Sequence, residues 1–223
     1  MPYFGSQPTS VPLTSSDITD GIISNAKLAQ DIISADTALG ATPADTDEFL
    51  VSDAGVLKRM DYSYIKGGIT GADEWRITSS FSGDAAPIAS NWERSDVHSS
   101  YIGTGMTESS GVFTFPETGI WLIQAIGAFG NNTTHSHYCG LYIRTTINDG
   151  GAWSGIASST QGIYRGDSNN YYANAFCSAL FDVTSTANCK ASLQVDHQDN
   201  DTVNYGNTNQ SLTGMSFIRL GST

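Results

Sequence analysis

The strongest hydrophobic pattern in the chain lies at residues 111–126. Phe113 and Phe115 alternate with Val112 and Thr114, the period of two expected of a strand with one buried face. Pro116 has no amide hydrogen to give a ladder and ends that strand, and Gly119 lets the chain turn before the next apolar run. Residues 120–126 are apolar on both faces, which predicts a central strand covered from two sides. The sheet of a lone monomer would not need the second cover. Further strand-like runs lie at 75–81, 97–102, 137–147, 171–181, 189–195 and 212–220. With turn residues between them, they predict an eight-to-ten-stranded antiparallel sandwich over residues 73–223.

The leading third reads differently. Residues 2–12 mix proline, glycine and small polar residues without periodicity, the pattern of an extended arm (1–15) that orders on a partner. A ten-residue repeat starts at Asp20, carried by Ile22/Ile32, Ile23/Ile33 and Ser24/Ser34. The same stretch also fits an amphipathic helix with Ile22, Ile23, Ala26, Ala29, Ile32 and Ile33 on one stripe, so periodicity leaves both forms open. Either form has too few large apolar residues to bury a core alone, so neighbouring copies must supply the other side. Residues 44–60 read as strand, turn and strand, and a glycine-rich joint at 67–71 follows. The expected fold class is therefore all-β: a C-terminal antiparallel jelly-roll sandwich forming a trimeric head, preceded by an extended or short-helical oligomerising stalk over 16–72.

Composition narrows the partners. The formal charge of −12 repels phosphate backbones, and no cluster of Lys or Arg offers a local exception, so nucleic acid is excluded. No apolar run approaches the ~20 residues needed to span a bilayer, which argues against membrane insertion. The first residues lack the basic and hydrophobic blocks of a secretion signal, giving the expectation of assembly in a cytoplasm. Cys139, Cys177 and Cys189 lie in strand-like text, are odd in number and lack zinc-site spacing; they are expected to be buried free thiols.

Candidate chemistry is sparse. His135 and His137 are two apart, so in a strand both rings share one face and three copies on an axis could ligate one transition metal; a polar loop entering a strand is the competing reading. Asp196, Asp199 and Asp201 offer hard oxygen ligands without EF-hand spacing, and a solvated acidic turn competes there. The expected cofactor set is accordingly empty, a structural metal ion being the one alternative. Trp153, Tyr164, Tyr171, Tyr172 and Tyr205 stand among amides and carboxylates, the flat faces and adaptable hydrogen bonds that a carbohydrate or protein epitope needs. Tyr171 and Tyr172 fit a subunit interface equally well, whereas Trp153, Tyr164 and Tyr205 lean towards exposure. Glu93, Asp96, His98, Ser99 and Ser100 lie close together but form no recognisable catalytic set, so an enzyme is not expected.

The segment 111–123, with its phenylalanine-rich strand, proline and glycine-aromatic strand, resembles the core motif of the complement-component and tumour-necrosis-factor jelly rolls. Residues 211–220 resemble the closing strand of that family, whose heads are compact trimers. The repeat and connector at 20–60 resemble the shafts of bacteriophage fibres. These resemblances imply a homotrimeric tail or head fibre or other virion appendage, assembled in the host cytoplasm. Its arm would dock other virion proteins, and its head would attach to a host-surface glycan or protein. The alternative they leave is a capsid decoration protein that cements the shell.

Overall fold

The computed structural model describes residues 14–19, 37–65, 67–99, 101–131, 136–164 and 171–223. The arm at 2–12 and nearly all of the repeat from Asp20 lie outside the described residues. The chain divides into two compact units, Met1–Lys66 and Gly67–Thr223. In the first, β1 (Glu48–Asp53) pairs antiparallel with β2 (Val56–Asp61) as the 44–60 pattern predicts. Ala54 and Gly55 make the turn with φ of 49° and 84°, the twist that a tight hairpin requires.

The second unit is a two-sheet sandwich. Its short strands are β3 (Ala72–Ile77), β4 (Phe81–Ser82), β5 (Trp92–Arg94), β6 (Thr107–Ser109) and β7 (Val112–Thr114). Its long strands are β8 (Gly119–Asn131), β9 (Ser136–Thr146), β10 (Ser154–Ile163), β11 (Tyr171–Val183) and β12 (Lys190–His197), followed by β13 (Val203–Asn204) and β14 (Gly214–Gly221). One sheet has five strands in the order β10-β9-β12-β7-β6. The other has seven: β4-β13-β8-β14-β3-β5, with β11 on the far side of β8. Every pairing in both sheets is antiparallel. Strand β11 pairs with β8 along its whole length, so β14 and β13 share the remaining edge in succession. Among the described residues no helix is long and apolar enough to cross a membrane.

The predicted corner at 111–126 organises the core. Phe113 is fully buried and packs edge-on against Trp75 and Trp92 and tilted against Phe217, with ring centroids 5.7, 4.9 and 5.1 Å away. Phe115 does the same with Trp121, Phe217 and Phe181. Burying a side chain of this size contributes about 2 kcal/mol, and edge-to-face aromatic pairs add about 1 kcal/mol each. Gly119 sits at φ 138°, and a Cβ there would collide with the Gly221 carbonyl and the Arg219 guanidinium. The turn into β8 therefore needs glycine. All three cysteines are buried and unpaired, and burial pushes the Cys139 and Cys177 thiols up.

Two predicted runs differ from the structure. The described residues of the run 97–102 form no strand: His98 (φ 55°) and Gly103 (φ 76°) turn the backbone, and Ile102 forms a bridge, to Ala72. The run 75–81 breaks after Ile77, where Thr78 leaves the ladder and donates to the Asn91 carbonyl. Strands β5, β6, β10 and β13 have no counterpart among the predicted runs.

Candidate functional site

Strand register decides which candidate side chains meet. Tyr171 pairs with Asn131, Ile163 with Ser136, His197 with Cys139, and Val203 with Gly130. These pairs place the end of β8, the starts of β9 and β11 and the ends of β10 and β12 at one pole of the sandwich. Tyr164, Tyr171, Tyr172, Tyr205, His137 and the acidic run at 196–201 therefore share that pole. Trp153 precedes β10, whose ten residues span about 30 Å, and so lies at the opposite pole.

At the shared pole, Tyr172 and Tyr205 form one aromatic pair, with ring centroids 5.7 Å apart. Tyr172 is 65% exposed, while Tyr205 is half-buried and lies over Gly130, where even a Cβ would strike its phenol ring. Burial, then the Tyr172 hydroxyl, holds the Tyr205 phenol above its usual range. Tyr171 is of opposite parity and packs against the core. Tyr164 is 77% exposed and borders a recess of about 380 Å³ with Ser136, His137, Gly162 and Ile163, opened by the bulge between Gln161 and Ile163. The lean towards exposure thus holds for Tyr164, whereas Tyr205 and Trp153 are half-buried. At Trp153 the reason is the loop: Asn148 Oδ1 accepts from the Ala152 amide at 2.9 Å, and the Arg144 guanidinium donates to the Trp153 carbonyl at 3.1 Å.

Charge at this pole is negative. Asp196, then burial and then Asp84, raise the Tyr138 phenol. His197 turns inward, 3% exposed, with Nε2 at 2.9 Å from Asn204 Oδ1, and its ring packs edge-on against Phe129. Burial lowers its pKa, against the opposing influence of Asn204, Asp84 and Asp196. Among the described residues no three His, Cys, Asp or Glu side chains gather to hold a metal ion. His135 lies outside the described residues, and the exposed His137 hydrogen-bonds through its backbone amide to Gln198. Asp196 lies on the strand and Asp199 and Asp201 in the turn after it. Glu93 and Asp96 both accept from Arg76 Nη2, at 3.2 and 2.6 Å, so their carboxylates hold a buried guanidinium.

A larger feature is the outward face of the seven-stranded sheet. Cross-strand register lines up Ala72, Ile218, Leu122 and Leu180 in one rung, and Arg76, Gly214, Ile126 and Phe176 in another. Between them runs a polar rung of Glu74, Ser216, Gln124 and Ser178. Phe176 is 53% and Leu180 64% exposed, and Leu122, Ile126 and Ile218 are half-buried. The inward residues Trp121, Ile123 and Ala125 are at most 1% exposed, so a single chain covers β8 on one side only. Sequence reasoning found the two-sided strand but missed Phe176 and Leu180. The signal was available: in 171–181 both parities carry apolar residues, as they do in 120–126.

No family model matches the sequence, and no curated protein matches it. Among solved structures the chain is similar to Eiger TNF from S. frugiperda, at 14% identity and a TM-score of 0.52, covering 70% of this chain and 96% of that one. It is also similar to murine APRIL at pH 8.5, at 12% identity and a TM-score of 0.48, covering 67% and 98%. The head is a TNF-like jelly roll. The Eiger likeness shows that fold and nothing finer.

Proposed function

We propose that this chain is a non-enzymatic structural protein of a bacteriophage virion, a homotrimeric fibre or appendage that displays its jelly-roll head for attachment to the host surface. The observation that carries the trimer is the outward face of the seven-stranded sheet, with its exposed Phe176 and Leu180; the virion role rests on the resemblance of residues 20–60 to the shafts of bacteriophage fibres. Exposed apolar rungs on either side of a polar one belong to an interface, and identical copies around an axis would give β8 its second cover. The pole that carries the exposed Tyr164 and Tyr172 would meet a host glycan or protein through flat rings and adaptable hydrogen bonds. Each contact is weak, and many heads on one particle convert weak contacts into durable adhesion. Residues 1–15 dock other virion proteins, and neither metal nor cofactor has a part in the task.

The test is competition. Purified protein is expected to bind host cells and block adsorption of the particle, and Tyr164→Ala with Tyr172→Ala is expected to weaken both at least tenfold. Particles lacking the protein that adsorb normally but burst under heat or osmotic shock would overturn attachment in favour of capsid decoration.

A further inference from the structure

The pole that carries Tyr164 and Tyr172 also sets two carboxylates against each other. The antiparallel bridge between Ala85 and Val195 places Asp84 opposite Asp196, and Asp196 in turn pairs with Gly140 of β9. Like charges directly opposite repel, so the arrangement costs stability unless a cation relieves it. Tyr138 and Tyr142 share the face of β9 on which Gly140 lies, and the Tyr142 ring leans over that glycine, where a Cβ would stand 2.6 Å from it. Two phenols thus flank the carboxylates, and Tyr138 is 38% exposed. Their field reaches the Tyr138 phenol, which Asp196 raises most.

Among the described residues of the head, no Lys or Arg answers this charge. Arg76 is tied to Glu93 and Asp96, Arg94 to Asp73, Lys190 to Asp149 and Arg219 to Glu117, while Arg144 donates to Gln194 and to the Trp153 carbonyl. Arg165 and Asp167, between Tyr164 and Tyr171 in sequence, cancel in formal charge. An ammonium group suits the pole: carboxylates pair with its charge and tyrosine faces attract it, whereas a hard metal ion needs more oxygens than two side chains offer. The described residues here expose tyrosine rings but no Leu, Ile or Val, which suits a sugar better than the apolar centre of a protein interface. The recess bordered by Tyr164 and His137 adjoins Tyr138 along β9 and gives a sugar room. We propose that the ligand taken at this pole is a glycan bearing amino groups, held as ammonium by Asp84 and Asp196 beside Tyr138, an assignment that rests on the attachment reading of the same pole.

The probes are glucosamine oligosaccharides trimethylated at nitrogen, whose charge holds at neutral pH, and their uncharged N-acetylated counterparts, titrated against the full-length protein at low ionic strength. The wild type is expected to bind the cationic oligomer at least about tenfold more tightly, with the gap closing as salt is added. Asp84→Asn with Asp196→Asn removes the charge but keeps the shape and the oxygen that accepts from the His197 amide, and is expected to bind both oligomers alike. Equal binding of the two oligomers by the wild type would overturn the proposal, as would a preference that survives the double substitution. Tighter binding of an oligolysine peptide than of the cationic sugar would overturn it too, in favour of a basic protein. The wild-type comparison and its salt dependence decide the matter even where the double variant does not fold. Blocking of particle adsorption is read separately: its loss beside an intact charge preference would overturn attachment and leave the amine site standing.

Discussion

The outward faces of the two sheets in the head differ in composition although both are built by the same alternation. On the five-stranded sheet the outward rungs are Thr107, Thr114, Lys190 and Thr146, then Ser109, Val112, Ser192 and Arg144, then Gln194, Tyr142 and Ser158. Arg144 Nη1 donates to Gln194 Oε1 at 3.0 Å across that surface, so the face satisfies itself with hydroxyls, amides and one guanidinium. On the seven-stranded sheet the corresponding positions are Leu122, Leu180 and Ile218 in one rung and Ile126 and Phe176 in another, on either side of the polar rung of Glu74, Ser216, Gln124 and Ser178. One face is finished as a solvent surface and the other is built like half of a core. A sandwich needs only its inner faces to fold, so the apolar outer rungs report a second requirement beyond folding.

The largest expected effect breaks that asymmetry. Phe176→Asp with Leu180→Asp would place carboxylates in the two apolar rungs that flank the polar rung of the seam and weaken association by at least about 4 kcal/mol, a thousandfold, because an interface would have to bury unpaired charge. Sedimentation should then show a species at 23.7 kDa with an intact β circular-dichroism spectrum. Next comes Phe113→Ala, which empties the position where Trp75, Trp92 and Phe217 converge and should cost about 3–5 kcal/mol in chemical denaturation. Unlike the seam variant, it would lower the stability of the fold itself and so affect both faces.

A smaller effect concerns pH. Burial depresses the folded-state pKa of His197, so as pH falls the unfolded chain takes up the proton first. The stability contributed by keeping His197 neutral is complete above the ordinary histidine range near 6.5 and is lost as pH drops from about 6.5 towards the folded value. The melting temperature of the wild type should fall across that window, and His197→Gln should flatten the fall. The smallest effect is the control on the other face: Ser158→Asp on the five-stranded sheet should leave mass unchanged and shift stability by less than about 0.5 kcal/mol.

Much of the head was legible in local sequence. The corner at 111–126 and the long strands β9, β11, β12 and β14 announce themselves through alternation, proline and glycine. Strand β10 did not, because its text, SGIASSTQGI, is small and polar and its burial at the sheet edge is slight. Strands β5, β6 and β13 are two or three residues long, too short to show a period, and exist because a partner strand holds them. The meeting of Tyr172 with Tyr205 was illegible for a related reason. It depends on β11 and β13 both reaching Gly130 from opposite edges of β8, a register set by pairing far apart in sequence. Exposure of Tyr164 could be read from its polar surroundings, but the half-burial of Trp153 follows from the hydrogen bonds of Asn148 and Arg144, which no periodicity encodes.

The most direct measurement is sedimentation equilibrium of the purified full-length protein near neutral pH. A single species at three times 23.7 kDa is expected, dissociating when Phe176 and Leu180 are made acidic. A folded, soluble species at 23.7 kDa with Phe176 and Leu180 open to water would contradict it.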